Sequence, residues 1–323
     1  MSSDYEALFR PLEIRGLTLA NRIVVPPMVQ RRPLASPEAE AWYRRMAAGG
    51  AGLVFVESTG APDVGSETTV DDLARLAGAI REQGAVPGIQ LFPTSPSMAA
   101  DQNELTAREI EEIIYSYAAA TRVCADAGFQ GVEIHGAHGF LLNRFFMPDK
   151  NARADGYGGD LAGRSRLAVE ITEHVRGAAG DDLFIAFRHT PQGEAYSIRD
   201  SLFLAERLFE AGLDVLDISP AKGKDVADLA EPFAERFQRP VIAVGGMGEP
   251  ADAAEALRDG RCDLVAVGRQ MIADAEWPRK VQEGRLDDIR RCIDCEHCWD
   301  RLRADEPVDC ALWEENEVAL HMS

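Results

Sequence analysis

Positive charge is scarce in this 323-residue chain. Its 34 Lys and Arg stand against 54 Asp and Glu, a formal net charge of −20, and only four of the basic residues are lysine. Such a surface repels phosphodiester backbones and anionic lipid headgroups, so neither nucleic acid nor a membrane is expected as a partner. Long apolar runs are missing too: none approaches the roughly 18 residues that a membrane span needs. The opening Met1-Ser2-Ser3-Asp4-Tyr5-Glu6 offers no basic stretch followed by an apolar one, so no signal peptide is expected and the cytoplasm is the expected compartment. No Pro/Ser/Gly-rich tract marks an internal linker. What remains is ample for a core, with 46% hydrophobic residues in a length that suits one large domain or two small ones.

Eight short apolar, β-rich runs recur, each followed by a helical stretch: 22–28, 52–59, 86–92, 131–138, 183–188, 215–219, 241–245 and 264–268. Several are apolar on both faces, as parallel strands covered by helices are. Ser36-Pro37 offers an N-cap followed by proline at the first helical position, with Gly49-Gly50 as the stop. Thr106 and Glu109 form a capping-box pattern ahead of Ile110, Ile113, Ile114, Tyr117 and Ala118 at helical spacing. Eight such units predict a closed (β/α)8 TIM barrel over residues 1–288, with residues 8–21 as a small hairpin plugging its floor. An open doubly wound sheet would carry a G-x-G-x-x-G fingerprint after its first strand, and none is present. A cysteine-rich, metal-binding tail is expected over 289–323.

In this fold chemistry lies at the C-terminal strand ends. The fourth strand ends in His135-Gly136-Ala137-His138, the fifth in Arg188 followed by His189, and the third carries Gln90. Two imidazoles three apart can bind metal, although no nearby carboxylate completes a ligand set, or can donate two hydrogen bonds to a carbonyl oxygen. Gly245-Gly246 and Gly268-Arg269 follow the last two strands, where backbone N–H groups commonly hold phosphate. Glycine also serves tight turns, but the two pairs together favour a phosphorylated cofactor. Four of the six cysteines, Cys292, Cys295, Cys298 and Cys310, read C-x2-C-x2-C-x11-C. In a reducing compartment such clustering favours metal over disulfides. Three cysteines at close spacing favour a 4Fe–4S cluster over zinc.

Residues 131–146 (Gly131-Val132-Glu133-Ile134-His135-Gly136-Ala137-His138-Gly139-Phe140 onwards), then Arg153-Ala154-Asp155-Gly156-Tyr157-Gly158-Gly159 and Arg164-Ser165-Arg166, resemble the Old Yellow Enzyme family, as does the opening Leu8-Phe9-Arg10-Pro11. The resemblance implies an FMN-dependent reductase of activated C=C bonds. It implies that Pro26, Pro27, Met28 and Val29 line the flavin with Gly60 nearby, and that Gln90 and Arg188 contact the isoalloxazine. Gly245, Gly246, Gly268 and Arg269 would hold the phosphate, while His135 and His138 clamp the substrate carbonyl. An arginine beside the pyrimidine favours the anionic, hydride-donating flavin. The tail is similar to that of the family's iron–sulfur branch, which includes 2,4-dienoyl-CoA reductase and trimethylamine dehydrogenase. There a cluster relays electrons and further nucleotide-binding domains follow. This chain stops at Ser323, so the expectation is an electron partner on another polypeptide, or NAD(P)H; a homo-oligomer is also compatible.

Three positions depart from the family pattern. Phe140 stands where reducers carry a tyrosine proton donor, leaving His189, Tyr196 or solvent as substitutes. Val29 replaces a small polar residue, and the loop after the third strand is short. Arg31, Arg32, Lys222 and Lys224 suggest a basic rim that steers an anionic small-molecule substrate. The expected function is reduction of a C=C bond conjugated to a carbonyl. The alternatives are a dehydrogenase that oxidises an amine or saturated substrate and exports electrons through the cluster, and an inactive zinc-bearing barrel.

Overall fold

The computed structural model describes residues 3–93, 101–181, 183–220 and 227–314. A 3-10 turn, Ser3–Phe9, leads into an antiparallel hairpin of β1 (Leu12–Ile14) and β2 (Leu17–Leu19). Its turn is Arg15-Gly16, both at positive φ (48° and 76°), the conformation a two-residue hairpin loop requires. Eight parallel strands then close a barrel: β3 (Ile23–Val25), β4 (Leu53–Gly60), β5 (Val86–Phe92), β6 (Gly131–Gly136), β7 (Phe184–His189), β8 (Val215–Ile218), β9 (Val241–Val244) and β10 (Leu264–Ala266), with β10 pairing both β9 and β3. The helices around it include α1 (Pro37–Ala48), α2 (Val70–Arg81), α3 (Ala107–Asp126), α4 (Leu141–Phe146), α5 (Leu161–Ala179) and α6 (Ile198–Glu210). After them come α7 (Ala227–Arg236), α8 (Pro250–Arg258), α9 (Arg269–Ala273), α10 (Trp277–Glu283) and, in the tail, α11 (His297–Arg303). No helix among the described residues is long and apolar enough to cross a membrane.

The barrel and its floor hairpin match the sequence reading, and so do both helix starts. Ser36 accepts from the Ala39 N–H, and Thr106 with Glu109 makes a complete capping box. Five strands end earlier than expected, β8 by a single residue at Ile218. Pro26 and Pro27 have no N–H for the ladder, which stops β3 at Val25. Gly245, at φ 106°, turns the chain out of β9, and His138, at φ 60°, lies beyond the end of β6. β10 stops at Ala266, two residues short of Gly268.

Inside the barrel, Val24, Leu53, Phe55, Phe184, Ala186, Val215, Ile242 and Leu264 fill the lower half, closed from below by Ile14 and Leu19. Phe55 and Phe184 meet edge to face at 6.3 Å. They fit because their neighbours are glycines: a Cβ on Gly88 would lie 2.5 Å from the Phe55 ring, and one on Gly131 2.2 Å from the Phe184 ring. An apolar plug this dense leaves only the upper half of the barrel for chemistry.

Residues 289–314 pack on the barrel. Ile289, Val308 and Trp313 join its main hydrophobic cluster. The Trp313 indole donates to the Ile272 carbonyl at 2.9 Å and lies against Trp42 (6.2 Å) and the Arg45 guanidinium (4.3 Å).

Candidate active site

Parity along the strands builds the site. Above the apolar plug, the next inward positions are Gln90 on β5, Glu133 on β6, Arg188 on β7 and Asp217 on β8, all buried. The Gln90 amide donates to Glu133 Oε1 at 2.6 Å. Arg188 donates to Asp217 Oδ2 through Nη2 (2.6 Å) and Nε (3.1 Å) and stands 3.4 Å from Glu133 Oε1. Burial works against the Arg188 charge, but the two carboxyl groups hold its pKa above the ordinary value. The sequence reading picked out Gln90 and Arg188 and missed both carboxyls. The available signal was their inward register within runs otherwise apolar.

One layer higher, the His135 ring is buried, its Nδ1 has no hydrogen-bond partner among the described residues, and the His138 ring centroid lies 5.5 Å away. His138 Nε2 is 2.9 Å from Ser219 Oγ, and the His138 N–H donates to Thr190 Oγ1. Burial lowers both imidazole pKa values, reinforced by Arg188: His135 well below the ordinary value, His138 to about 4. Both rings are neutral at pH 7, so each has one N–H to donate. Phe92 and Phe140 pack against His135 at 5.3 Å each, and Phe140 is partly open to solvent.

Of the proton-donor substitutes, His189 and Tyr196 are ruled out. Being one residue past the inward-facing Arg188, His189 points out of the barrel and meets Ser201 Oγ of α6 at 2.8 Å. The Tyr196 hydroxyl donates to the Thr190 carbonyl and accepts from Asn143, walled in by Phe146 and His189. Arg32 is not part of a basic rim. It is buried over Trp42, and its Nη1 holds the carbonyls of Gln30 and Val308. Arg31 is engaged by Asp305. Lys222 and Lys224 lie outside the described residues.

The remaining strand ends meet on the β10–β3 side. Pro26 is buried, while Pro27, Met28 and Val29 are half-buried along the rim. Gly268 brings β10 against them: a Cβ there would lie 3.6 Å from Met28 Sδ and 3.7 Å from Pro26 Cγ. Gly245 and Gly246 both hold positive φ, 106° and 69°, a conformation that favours glycine; Gly245 is half-buried and Gly246 exposed. The Gly60 carbonyl ends β4 by accepting from the N–H groups of Asp63 and Val64. Glu57, also unmarked in the sequence, accepts from the Gln30 N–H at 2.5 Å. Burial raises its carboxyl to about 7, against the pull of that N–H, Arg31 and Arg32.

Arg269 extends to Asp294 (2.9 Å), in the tail. It thereby borders a small recess of about 20 Å3 lined by Cys292, Cys295, Cys298 and Cys310. All four thiols are unpaired, and burial raises those of Cys298 and Cys310. Among the described residues, no three His, Cys, Asp or Glu side chains stand ready-closed around a metal position.

The chain belongs to the NADH:flavin oxidoreductase / NADH oxidase family, whose model matches residues 94–288. It is similar to the NADH oxidase of Thermoanaerobacter brockii, 34% identical over 91% of this chain and 53% of that protein. It is similar also to the NADPH dehydrogenase of Geobacillus sp. (strain WCH70), 33% identical over 90% of this chain and 98% of the relative. The chain thus spans about half of the first relative and nearly all of the second. Among solved structures, 6-hydroxypseudooxynicotine amine oxidase from Pseudomonas geniculata N1 superposes with a TM-score of 0.88 at 25% identity, over 96% of this chain and 54% of that one.

Proposed function

We propose that the chain is an FMN- and iron–sulfur-dependent oxidoreductase that reduces a C=C bond conjugated to a carbonyl. The observation that carries this reading is the pair of neutral imidazoles, His135 and His138, with ring centroids 5.5 Å apart at the strand ends and directly above the buried Arg188–Gln90 layer. FMN, when bound, supplies a centre that exchanges hydride with a substrate and single electrons with a cluster. The residues fit it. The backbone of Gly245, Gly246 and Gly268 suits a phosphate, and Pro26, Pro27, Met28, Val29 and Gly60 form the wall beside them. Gln90 and Arg188 offer donors toward the ring's polar edge.

His135 and His138 bind the substrate carbonyl and stabilise the charge that develops on its oxygen. They do so without gaining a proton, because burial keeps both rings neutral. Phe92 and Phe140 exclude water from one side of that oxygen. With Phe140 in place of a hydroxyl, and with His189 and Tyr196 facing elsewhere, the proton for the second carbon comes from solvent at the open edge beside Phe140.

Cys292, Cys295, Cys298 and Cys310 would hold the 4Fe–4S cluster. Zinc would draw four sulfurs to about 3.8 Å from one another, given bonds near 2.3 Å in a tetrahedron. The close C-x2-C-x2-C spacing of the first three favours the cube of iron and sulfide over zinc. The electron source is NAD(P)H or an electron-transfer protein.

The second reading, oxidation of an amine or saturated substrate, gains support from Phe140, since oxidation needs no tyrosine donor. Likeness to an amine oxidase structure supports it too. An absorption spectrum of anaerobically purified protein, with iron, zinc and sulfide analysis, tests the cofactors. Flavin bands with an iron–sulfur shoulder are expected, and a colourless, zinc-loaded protein refutes the proposal. Turnover of an enone by pre-reduced enzyme supports reduction. Anaerobic bleaching of oxidised enzyme by an amine supports the second reading.

A further inference from the structure

The layer beneath His135 contains two fully buried carboxyl groups and one cation. Glu133 and Asp217 are each 0% exposed, and Arg188 is their shared partner. The donors are distributed unevenly. Glu133 Oε1 receives the Gln90 amide and faces Arg188 Nε, and Asp217 Oδ2 receives both Arg188 bonds. Among the described residues Glu133 Oε2 and Asp217 Oδ1 receive no donor, and the two carboxyl groups flank the same guanidinium. Two buried carboxyls with a bare oxygen each and one cation between them are stable in a dry interior only when one of them carries a proton.

We infer that Glu133 and Asp217 hold a single proton between them, borne on Glu133. Asp217, with two bonds from Arg188, remains the ionised member. Glu133, whose Oε1 already accepts from Gln90, is the acid. Burial, with Asp217 adding to it and Arg188 opposing it, pushes Glu133 well above the ordinary carboxyl range. The other titratable groups near this layer, His135 and His138, are neutral and do not compete for the proton.

The consequence is a charge count. With the proton, Glu133, Asp217 and Arg188 sum to zero; with both carboxyls ionised they sum to −1. On the flavin reading, which this consequence rests on, a neutral layer lets Arg188 face negative charge on the ring without an uncompensated carboxylate behind it. Glu133 and Asp217 are then positioning residues acting through Arg188.

Infrared spectroscopy of the wild-type protein at pH 8–9, where Glu57 is ionised, tests the proton directly. A carbonyl band of a protonated carboxylic acid is expected. It should shift when the protein carries 13C-labelled glutamate and stay when only aspartate is labelled. Glu133→Gln removes the band. Asp217→Asn removes it as well, because Glu133 must then ionise as the sole counter-ion of Arg188. Every one of these states is neutral, so each single variant leaves the flavin midpoint potential where it was. Only the double variant, with an unbalanced Arg188, shifts it upward. Absence of the band, or its movement with labelled aspartate, overturns the inference, as does a potential already shifted in Glu133→Gln. The infrared result needs no flavin, so a protein that binds none refutes the cofactor reading and leaves the shared proton to be decided on its own.

Discussion

Replacing Trp313 by alanine should release the tail while leaving the barrel folded. The tail is fastened by separate contacts that include the Val308 N–H to the Gln30 carbonyl (2.9 Å), Arg32 to the Val308 carbonyl (3.0 Å), the Cys292 N–H to Gln270 (2.9 Å), the Arg269–Asp294 and Arg31–Asp305 ion pairs and the buried Trp313 indole. Trp313 makes the largest apolar contact among them. Roughly 200 Å2 of ring surface at about 25 cal/mol/Å2 is about 5 kcal/mol, and measured tryptophan-to-alanine losses run about 3–5 kcal/mol. A loss near 4 kcal/mol is about a thousandfold change in the docking equilibrium. Native-state hydrogen exchange reads it residue by residue. The Val308 and Cys292 amides should lose up to about three decades of protection, while Val132 and Ile185 in the barrel ladder keep theirs. Iron content should fall with the tail's protection. If barrel and tail amides accelerate together, the tail is part of the barrel's own cooperative unit, and the reasoning from separate fastenings is wrong.

His138 and His189 both sit near 4 in the folded chain, against about 6.5 unfolded. The unfolded state therefore binds more protons between these values, and stability falls as pH drops from 6.5 toward 4, by up to about 3 kcal/mol for each ring. Urea midpoints at pH 7.5 and pH 5 measure this, and His189→Gln should flatten the slope. Phe140→Tyr places a hydroxyl beside His135 and should raise enone reduction at least tenfold at unchanged flavin content. Steady-state rates with pre-reduced enzyme check it, and an unchanged rate would mean that protonation is not limiting. Gly131→Ala drives a Cβ to 2.2 Å from the buried Phe184 ring and should cost about 1–3 kcal/mol in urea unfolding, part of which Phe184→Leu recovers.

Much of this was legible because the barrel repeats one rule eight times. Apolar runs at regular spacing identified every strand, and the only systematic error was at strand ends. There Pro26, Gly245 and His138 interrupt the ladder through missing donors or positive φ. His135, His138, Gln90 and Arg188 could be found because a polar residue ending a buried strand has few reasons to be there. Glu133 and Asp217 obey the same logic two residues lower, but the reading stopped at the strand ends and did not follow the inward register down. His189 and Tyr196 were misjudged for the opposite reason: nearness in sequence to Arg188 says nothing of facing, and one residue along a strand reverses the side chain. Arg32 was unreadable. Its burial depends on Val308, 276 residues away.

The tail meets the barrel at the ends of β3 and β10, the strand ends that carry the residues proposed for the flavin wall and part of the proposed phosphate site. Gln30 and Arg32, which grip Val308, follow directly on Pro26–Val29 after β3. Gln270, which accepts from the Cys292 N–H and donates to the Arg290 carbonyl, follows Gly268–Arg269 after β10. Arg269 itself reaches Asp294 in the cysteine recess. Order in one of these short segments is therefore order in the other. A ligand that fixes the Gly268–Arg269 turn removes part of the conformational freedom that tail docking must otherwise overcome, and a filled cysteine recess does the same for the turn. The coupling is reciprocal by thermodynamic necessity, so any gain in tail protection on flavin binding must reappear as tighter flavin binding when the tail is docked.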